Sequence, residues 1–277
     1  MPALHETHRN WWHNYYPQSF VSLPDKKMEN FYWAQMYKLA SATRIGGGLL
    51  DNSGPWQVLT PWPNAWWNLN VQLSYWSVYA SNRLELGMPL VNAIGSNLNN
   101  LINNVPEAYR KDAAALPVAT DFNLIGETVN IPGTEKKAQV GNLPWICHNL
   151  WLQYRFSMDE SILRNTIFPT LRRAINFYLP FLKEDKQGKL HLQRTFSPEY
   201  GIAEDCNYDI ALLRWGCNTL LETTKILSID DELIPRWKQV MEKLTDYPQD
   251  ANGMMIGKDV PFSRSHRHYS HLLMFYP

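Results

Sequence analysis

The chain has 277 residues, and its 26 lysines and arginines balance 26 aspartates and glutamates, so its formal net charge is zero. That neutrality leaves no basic excess to neutralise phosphates, and nucleic acid is not an expected partner. Hydrophobic residues at 45% against 19% charged exclude a disordered chain, and no run reaches the roughly 20 apolar residues of a membrane span.

The opening residues MPALHETHRNWW lack the apolar core of a signal peptide. Residues 27–44 carry Phe31, Met36, Tyr37 and Leu39 at helical spacing and stop at Gly46-Gly47-Gly48. From Leu49 to Trp67 the residues Gly54, Pro55, Pro61 and Pro63 predict a loop. Helices follow over 71–86 and from Pro89 to about Tyr109. Residues 117–141 read as irregular, with short strands near 118–123 and 127–131. Further helices are predicted over 143–155, 159–184, 207–228 and 230–246, the last with Asp230 or Asp231 as its N-cap. A strand-like run covers 188–201, and a final helix begins near His266. Helices of this length joined by long loops predict an all-α fold, a helical toroid rather than a compact bundle, in one domain spanning 1–277.

Aromatic residues are abundant, with 12 Trp, 14 Tyr and 10 Phe. Four tryptophans crowd WQVLTPWPNAWW, where a core would spread them at helical spacing. An indole platform in a loop suits the flat face of a sugar, and a loop plug over the helical core is the plainer reading.

Four constellations carry polar chemistry. Asn68 and Asn70, after Trp66 and Trp67, share a face if the backbone is extended, and two amides there suit a water or sugar hydroxyls; a helix cap is the alternative. Glu199, in TFSPEYG, is a glutamate held by a proline turn between aromatics, where an apolar surround would keep its proton near neutral pH; an exposed loop glutamate is the plainer reading. Asp205 and Asp209 precede or open an apolar helix and read as capping residues. His266, Arg267, His268 and His271 cluster in HRHYSH at spacings unlike a zinc site, and they suit hydroxyl recognition. Cys147, Cys206 and Cys217 form no paired motif, and no nucleotide or metal signature is present, so neither metal nor cofactor is expected.

The succession WWNLNVQLSYW, PWICHNLWLQYRFSMDE, FPTLRRAINFYLPFL, SPEYG, NYDIALLR and HRHYSHLLMFYP resembles the catalytic domain of the glycoside hydrolase family 95 α-L-fucosidases, from the His8/Trp11 region onward. The resemblance implies an (α/α)6 toroid of the six-hairpin glycosidase kind and inverting hydrolysis of terminal α-L-fucosides, or of the closely related α-L-galactosides. It implies Glu199 as general acid and Asn68 and Asn70 as the pair that positions and activates water, with catalytic centres about 6.5–9.5 Å apart. Arg267, His266, His268 and His271 would then bind substrate hydroxyls, and Trp66 and Trp67 would wall the pocket. Two positions depart from the family's usual residues, namely Asn149, where histidine is usual, and Tyr200, where asparagine is usual. The resemblance also implies a β-sandwich before the toroid, and further helices beyond HRHYSHL with an aspartate that activates the amide pair. Neither lies in these residues, so the expectation is a partial domain, incomplete as a toroid, that the remainder of the enzyme chain completes. Alone, the segment is expected to be poorly stable and inactive as a hydrolase. The alternative is a non-catalytic sugar-binding remnant. A carbohydrate substrate is the implied partner, and a periplasmic or extracellular location is the implied setting.

Overall fold

A computed structural model describes residues 2–275 except Asp51, Ser53, Pro55 and residues 57–59. Part of the loop expected over Leu49–Trp67 therefore lies outside the described residues.

Helix α1 (Pro2–Tyr15) has no counterpart in the sequence reading, because its sequence is polar almost throughout. Aromatic rings hold it. Trp12 stacks on Tyr37 of α2 (Lys26–Ala42) at 4.8 Å, and Trp11 stacks on Tyr15 at 5.1 Å. The start of α2 is set by Asp25, whose carboxylate accepts from the amides of Lys27 and Met28 at 2.8 and 3.4 Å.

Helices α3 (Asn70–Ala80), α4 (Met88–Ser96) and α5 (Leu98–Asn103) follow. The single helix expected from Pro89 to about Tyr109 is broken at Asn97, whose side-chain amide donates to the Ala93 carbonyl at 2.9 Å and competes with the helix ladder. Helix α6 (Asn142–Ser157) ends on the left-handed residue Met158. Next come α7 (Glu160–Ile162), a π turn over Leu163–Ile167, and α8 (Phe168–Asn176). Helices α9 (Asn207–Leu227) and α10 (Ile234–Lys243) complete the helical part.

Both α6 and α9 are buried on nearly every side, through Leu143, Ile146 and Leu150 on one and Ile210, Leu213, Cys217 and Leu220 on the other. Helix α3 packs on α6, α6 on α8 and α9, and α10 on α9. A Cβ at Gly216 would lie 2.2 Å from Ile175, so glycine permits the close approach of α9 to α8.

The strands are short antiparallel pairs: β1 (Ala65–Trp66) with β2 (Ala119–Thr120), β3 (Leu182–Glu184) with β4 (Leu190–Leu192), β5 (Thr195–Ser197) with β6 (Gly201–Ala203), and β7 (Gln249–Asp250) with β8 (Gly253–Met254). Residues 127–131 form no strand, and the Val129 amide is taken by the Asn104 carbonyl at 2.8 Å.

The capping expectations are corrected. Asp205 has a positive φ of 47° and turns its carboxylate back, accepting from the Leu192 amide at 2.7 Å and meeting His191 Nδ1 at 2.7 Å. Asp231 precedes α10 but is not its cap. It accepts from the Leu233 amide at 2.9 Å and from Arg172 Nε at 2.6 Å. The final helix begins at Ser270 rather than His266, as a 3-10 turn over Ser270–Phe275 that lies against α9.

Candidate active site

Glu199 sits at the tip of the β5–β6 hairpin, whose register pairs Ser197 with Gly201 around the three residues Pro198, Glu199 and Tyr200. The segment after Pro261 braces that tip on two sides. On the buried side, Ser270 Oγ donates to the Pro198 carbonyl at 2.7 Å and lies 2.7 Å from Ser197 Oγ. A hydroxyl has one proton to give, so Ser197 is the donor to Ser270. On the exposed side the Tyr200 hydroxyl accepts from the amides of Ser263 and Arg264 at 2.8 and 3.1 Å, and Arg264 donates to the Tyr200 carbonyl at 2.7 Å. The bond with the Ser263 side chain leads the interactions that lower the Tyr200 phenol from its ordinary value.

The Glu199 carboxylate, 40% exposed, is held by polar groups rather than the apolar surround expected of it. Its Oε2 accepts from Arg267 Nη2 at 2.7 Å, and its Oε1 from Asn68 Nδ2 at 3.5 Å. Arg267 Nε donates to His268 Nε2 at 3.2 Å, and that same nitrogen lies 3.6 Å from Glu199. An accepting Nε2 belongs to a neutral imidazole protonated at Nδ1. Burial of His268 lowers its pKa and favours that form, against the opposing pull of Glu199.

A cavity of about 490 Å³ opens beside these groups. Asn68, Arg267 and His268 form its polar side, and Leu73, Trp76 and Trp145 are among the residues of its apolar side. Glu199 is thus held by two residues that line the cavity.

Three motifs far apart in sequence, those of Asn68, Glu199 and Arg267–His268, therefore converge, and not every expected residue comes with them. Asn70 begins α3, and no hydrogen bond joins its side chain to Glu199 or Asn68. Trp67 is wholly buried and donates to Thr120 Oγ1 at 2.8 Å, so it is core and not a pocket wall. The turn over 67–69 that follows β1 turns Trp67 inward while Asn68 and Leu69 line the cavity. Trp66 lines a separate hollow. His266 braces the turn by accepting from the His268 amide at 3.1 Å. His271 is buried, stacked on Phe262 at 4.4 Å, and does not line the cavity; burial lowers its pKa. The amide and carboxylate expected to stand about 6.5–9.5 Å apart are instead in contact at 3.5 Å.

Asn149 is fully buried and donates to the Gln72 carbonyl at 2.8 Å, tying α6 to α3. The sequence reading assigned no role to Ser197, Ser270 or Arg264, which position the Glu199 turn. The serines within the SPE and HRHYSHL motifs were the available signal. All three cysteines are free and buried, and burial pushes Cys206 and Cys217 up to about 12, which leaves their thiols unreactive. Among the described residues no three or more His, Cys, Asp or Glu side chains group to hold a metal ion. No helix among them is long and apolar enough to cross a membrane.

The fold is that of the all-α six-hairpin toroids. The chain superposes with a TM-score of 0.57 on "Putative kojibiose phosphorylase from human microbiome", at 12% identity, over 81% of this chain and 32% of that one. Residues 13–277 match the glycosyl hydrolase family 95 catalytic domain, and the chain belongs to that family. It is 25% identical over 260 residues to "Alpha-L-fucosidase 2" of Arabidopsis thaliana, covering 87% of this chain and 30% of that protein. It is also 26% identical over 141 residues to "Probable alpha-fucosidase A" of Aspergillus niger, covering 48% of this chain and 17% of that protein. The chain thus spans less than a third of the length of either relative.

Proposed function

We propose that this chain carries the acid-bearing part of an inverting glycoside hydrolase centre that releases terminal α-L-fucose, or α-L-galactose, from glycans. The observation that carries the reading is the Glu199 carboxylate, held between Asn68 and Arg267 beside a cavity with one polar and one apolar side. The names of the two relatives, both fucosidases, support fucose as the sugar.

In this reading a sugar enters between Asn68 and Glu199 and breaks their 3.5 Å contact. Arg267, whose side chain is 67% exposed, swings to the sugar hydroxyls. Protonated Glu199 gives its proton to the glycosidic oxygen as the bond to the anomeric carbon breaks. A water held by Asn68, with Asn70 beside it in sequence, attacks the opposite face and inverts the centre. Its proton passes to a carboxylate supplied by the remainder of the enzyme chain, which completes the toroid.

A second reading, a sugar-binding segment without catalysis, is favoured by one observation. The residues lining the cavity include no carboxylate to activate a water. Hydrolysis of aryl α-L-fucoside and α-L-galactoside by the whole enzyme chain that contains this segment separates the two. The hydrolase reading expects turnover that falls roughly 10²–10⁴-fold in Glu199→Ala, the range for loss of a general acid. Turnover that survives Glu199→Ala undiminished overturns the role of Glu199. Binding of L-fucose without turnover establishes the second reading.

A further inference from the structure

We infer that Gln72 is a positioning residue for Asn68, its side-chain amide holding the peptide bond that sets Asn68 against Glu199. The role rests on the function proposed above and deepens it, by naming what aims the amide that holds the attacking water.

Asn68 reaches Glu199 Oε1 with its Nδ2, at 3.5 Å, from the turn over 67–69 that joins β1 to α3. The entry to that turn is anchored through Trp67. Its amide donates to the Val118 carbonyl at 2.8 Å, its indole donates to Thr120 Oγ1 at 2.8 Å, and its carbonyl accepts from Gln72 Nε2. The first two bonds tie Trp67 to the strand beside it. The third reaches further along the chain, because the Trp67 carbonyl shares one rigid peptide plane with the Asn68 nitrogen. Turning that plane changes ψ of Trp67 and φ of Asn68 together and swings the Asn68 side chain past Glu199. Gln72 opposes the turn.

Gln72 stands at the third position of α3, after Leu69 at the N-cap, where a glutamine can turn its oxygen back to the capping amide. It does not do so here. The residue is wholly buried, its Nε2 is directed to Trp67, and among the described residues its Oε1 has no hydrogen-bond partner. A buried amide oxygen left unpaired costs stability that a methionine side chain of similar length would not. The side chain thus serves the turn that carries Asn68 and not the start of the helix. Asn149 fixes Gln72 in its turn, donating from α6 to the Gln72 carbonyl at 2.8 Å. A line of contacts therefore runs from α6 through Gln72 and the Trp67–Asn68 peptide to Glu199.

The test measures hydrolysis of aryl α-L-fucoside and α-L-galactoside by the whole enzyme chain that contains this segment, with Gln72→Met and Gln72→Glu beside the wild type. A small displacement of a group that holds the attacking water slows the chemical step without loosening the bound substrate. Gln72→Met should therefore lower kcat roughly 10–100-fold and change KM less than about threefold. Its melting temperature should stay within about 2 °C, since the variant removes one unpaired buried oxygen and leaves another at Trp67. Gln72→Glu keeps the shape of the side chain. Its protonated carboxyl can donate to the Trp67 carbonyl and its carboxylate cannot, and burial raises the pKa of such a group. The ratio of its kcat to the wild-type kcat should therefore be highest near about pH 5 and fall about tenfold as pH rises through that pKa. That ratio, read well below the melting temperature, decides the matter if Gln72→Met fails to fold. A wild-type kcat in Gln72→Met, or a Gln72→Glu ratio that is flat with pH, overturns the positioning role and leaves the function at Glu199 standing. A wild-type chain that hydrolyses neither substrate overturns that function and the role of Gln72 with it.

Discussion

The base of strand β5 meets a carboxylate from below, that of Asp209, and four residues beyond Thr195 the same hairpin presents its own, that of Glu199. Asp209 is fully buried and accepts from Tyr178 Oη at 2.7 Å and Thr195 Oγ1 at 2.6 Å, two neutral hydroxyls. Glu199 is 40% exposed and accepts from a guanidinium and an amide, each lining an open cavity. Burial pushes Asp209 up to about 7 against the pull of its two donors. The difference shows which features assign a role. A carboxylate with saturated partners and no solvent ties elements together, whereas one with an exposed guanidinium partner beside a cavity is open to a ligand.

The largest expected effect breaks the buried side of that contrast. Asp209→Ala leaves the Tyr178 and Thr195 hydroxyls unpaired in the interior, and the loss should be on the order of 3–5 kcal/mol, measured as a fall in denaturant midpoint. Asp209→Asn keeps the shape and removes the titration. Its folded pKa is raised above the unfolded value of 3.8, so Asp209 contributes stability that is fully present below about pH 4 and lost as pH rises through about 7. The wild-type melting temperature should therefore drop between pH 5 and pH 8 by more than that of Asp209→Asn. Equal pH profiles would show that Asp209 is already ionised at pH 5, and its purely structural assignment would fail.

Much of the helical frame was legible because its signals are local. The spacing of Phe31, Met36 and Leu39 before Gly46 places α2, and the apolar run of IALLRWGC places α9 within a residue or two. Helix α1 was not legible, since its polar sequence is ordered by rings on α2. The site was legible as motifs and not as geometry. Sequence brings Asn68, Glu199, Arg267 and His268 forward together, but nothing in it separates Trp66, the last residue of β1, from Trp67, which the following turn buries. Asp209 read as a helix-start anion because its partners Tyr178 and Thr195 lie 31 and 14 residues away.

A middle-sized effect tests how the Glu199 carboxylate is held in place. Ser270→Ala removes the bridge from HRHYSHL to Ser197 and Pro198, two buried hydrogen bonds at 2.7 Å. Stability should fall by about 1–2 kcal/mol, the usual cost of such a loss. Because the bridge positions the turn that carries Glu199, affinity for L-fucose should fall with it, and Ser270→Cys, which keeps a weak donor, should recover part of both. A variant that loses stability with unchanged sugar affinity would show that the hairpin tip holds its place without Ser270.

The smallest expected effect on stability is the most informative about Glu199. Its partner Arg267 is 67% exposed, and an ion pair that reaches solvent on both sides contributes little, typically under about 1 kcal/mol. Arg267→Ala should therefore move the melting temperature by no more than about 2 °C, while weakening sugar binding by removing the guanidinium from the cavity wall. That outcome sets Glu199 and Asp209 at opposite ends of one scale, since deleting the partner of the first changes binding and deleting the second changes folding. A destabilisation by Arg267→Ala as large as that of Asp209→Ala would reverse the assignment. The Glu199–Arg267 pair would then be a strut between the hairpin and the HRHYSHL segment, and the reacting group would have to be sought on another wall of the cavity.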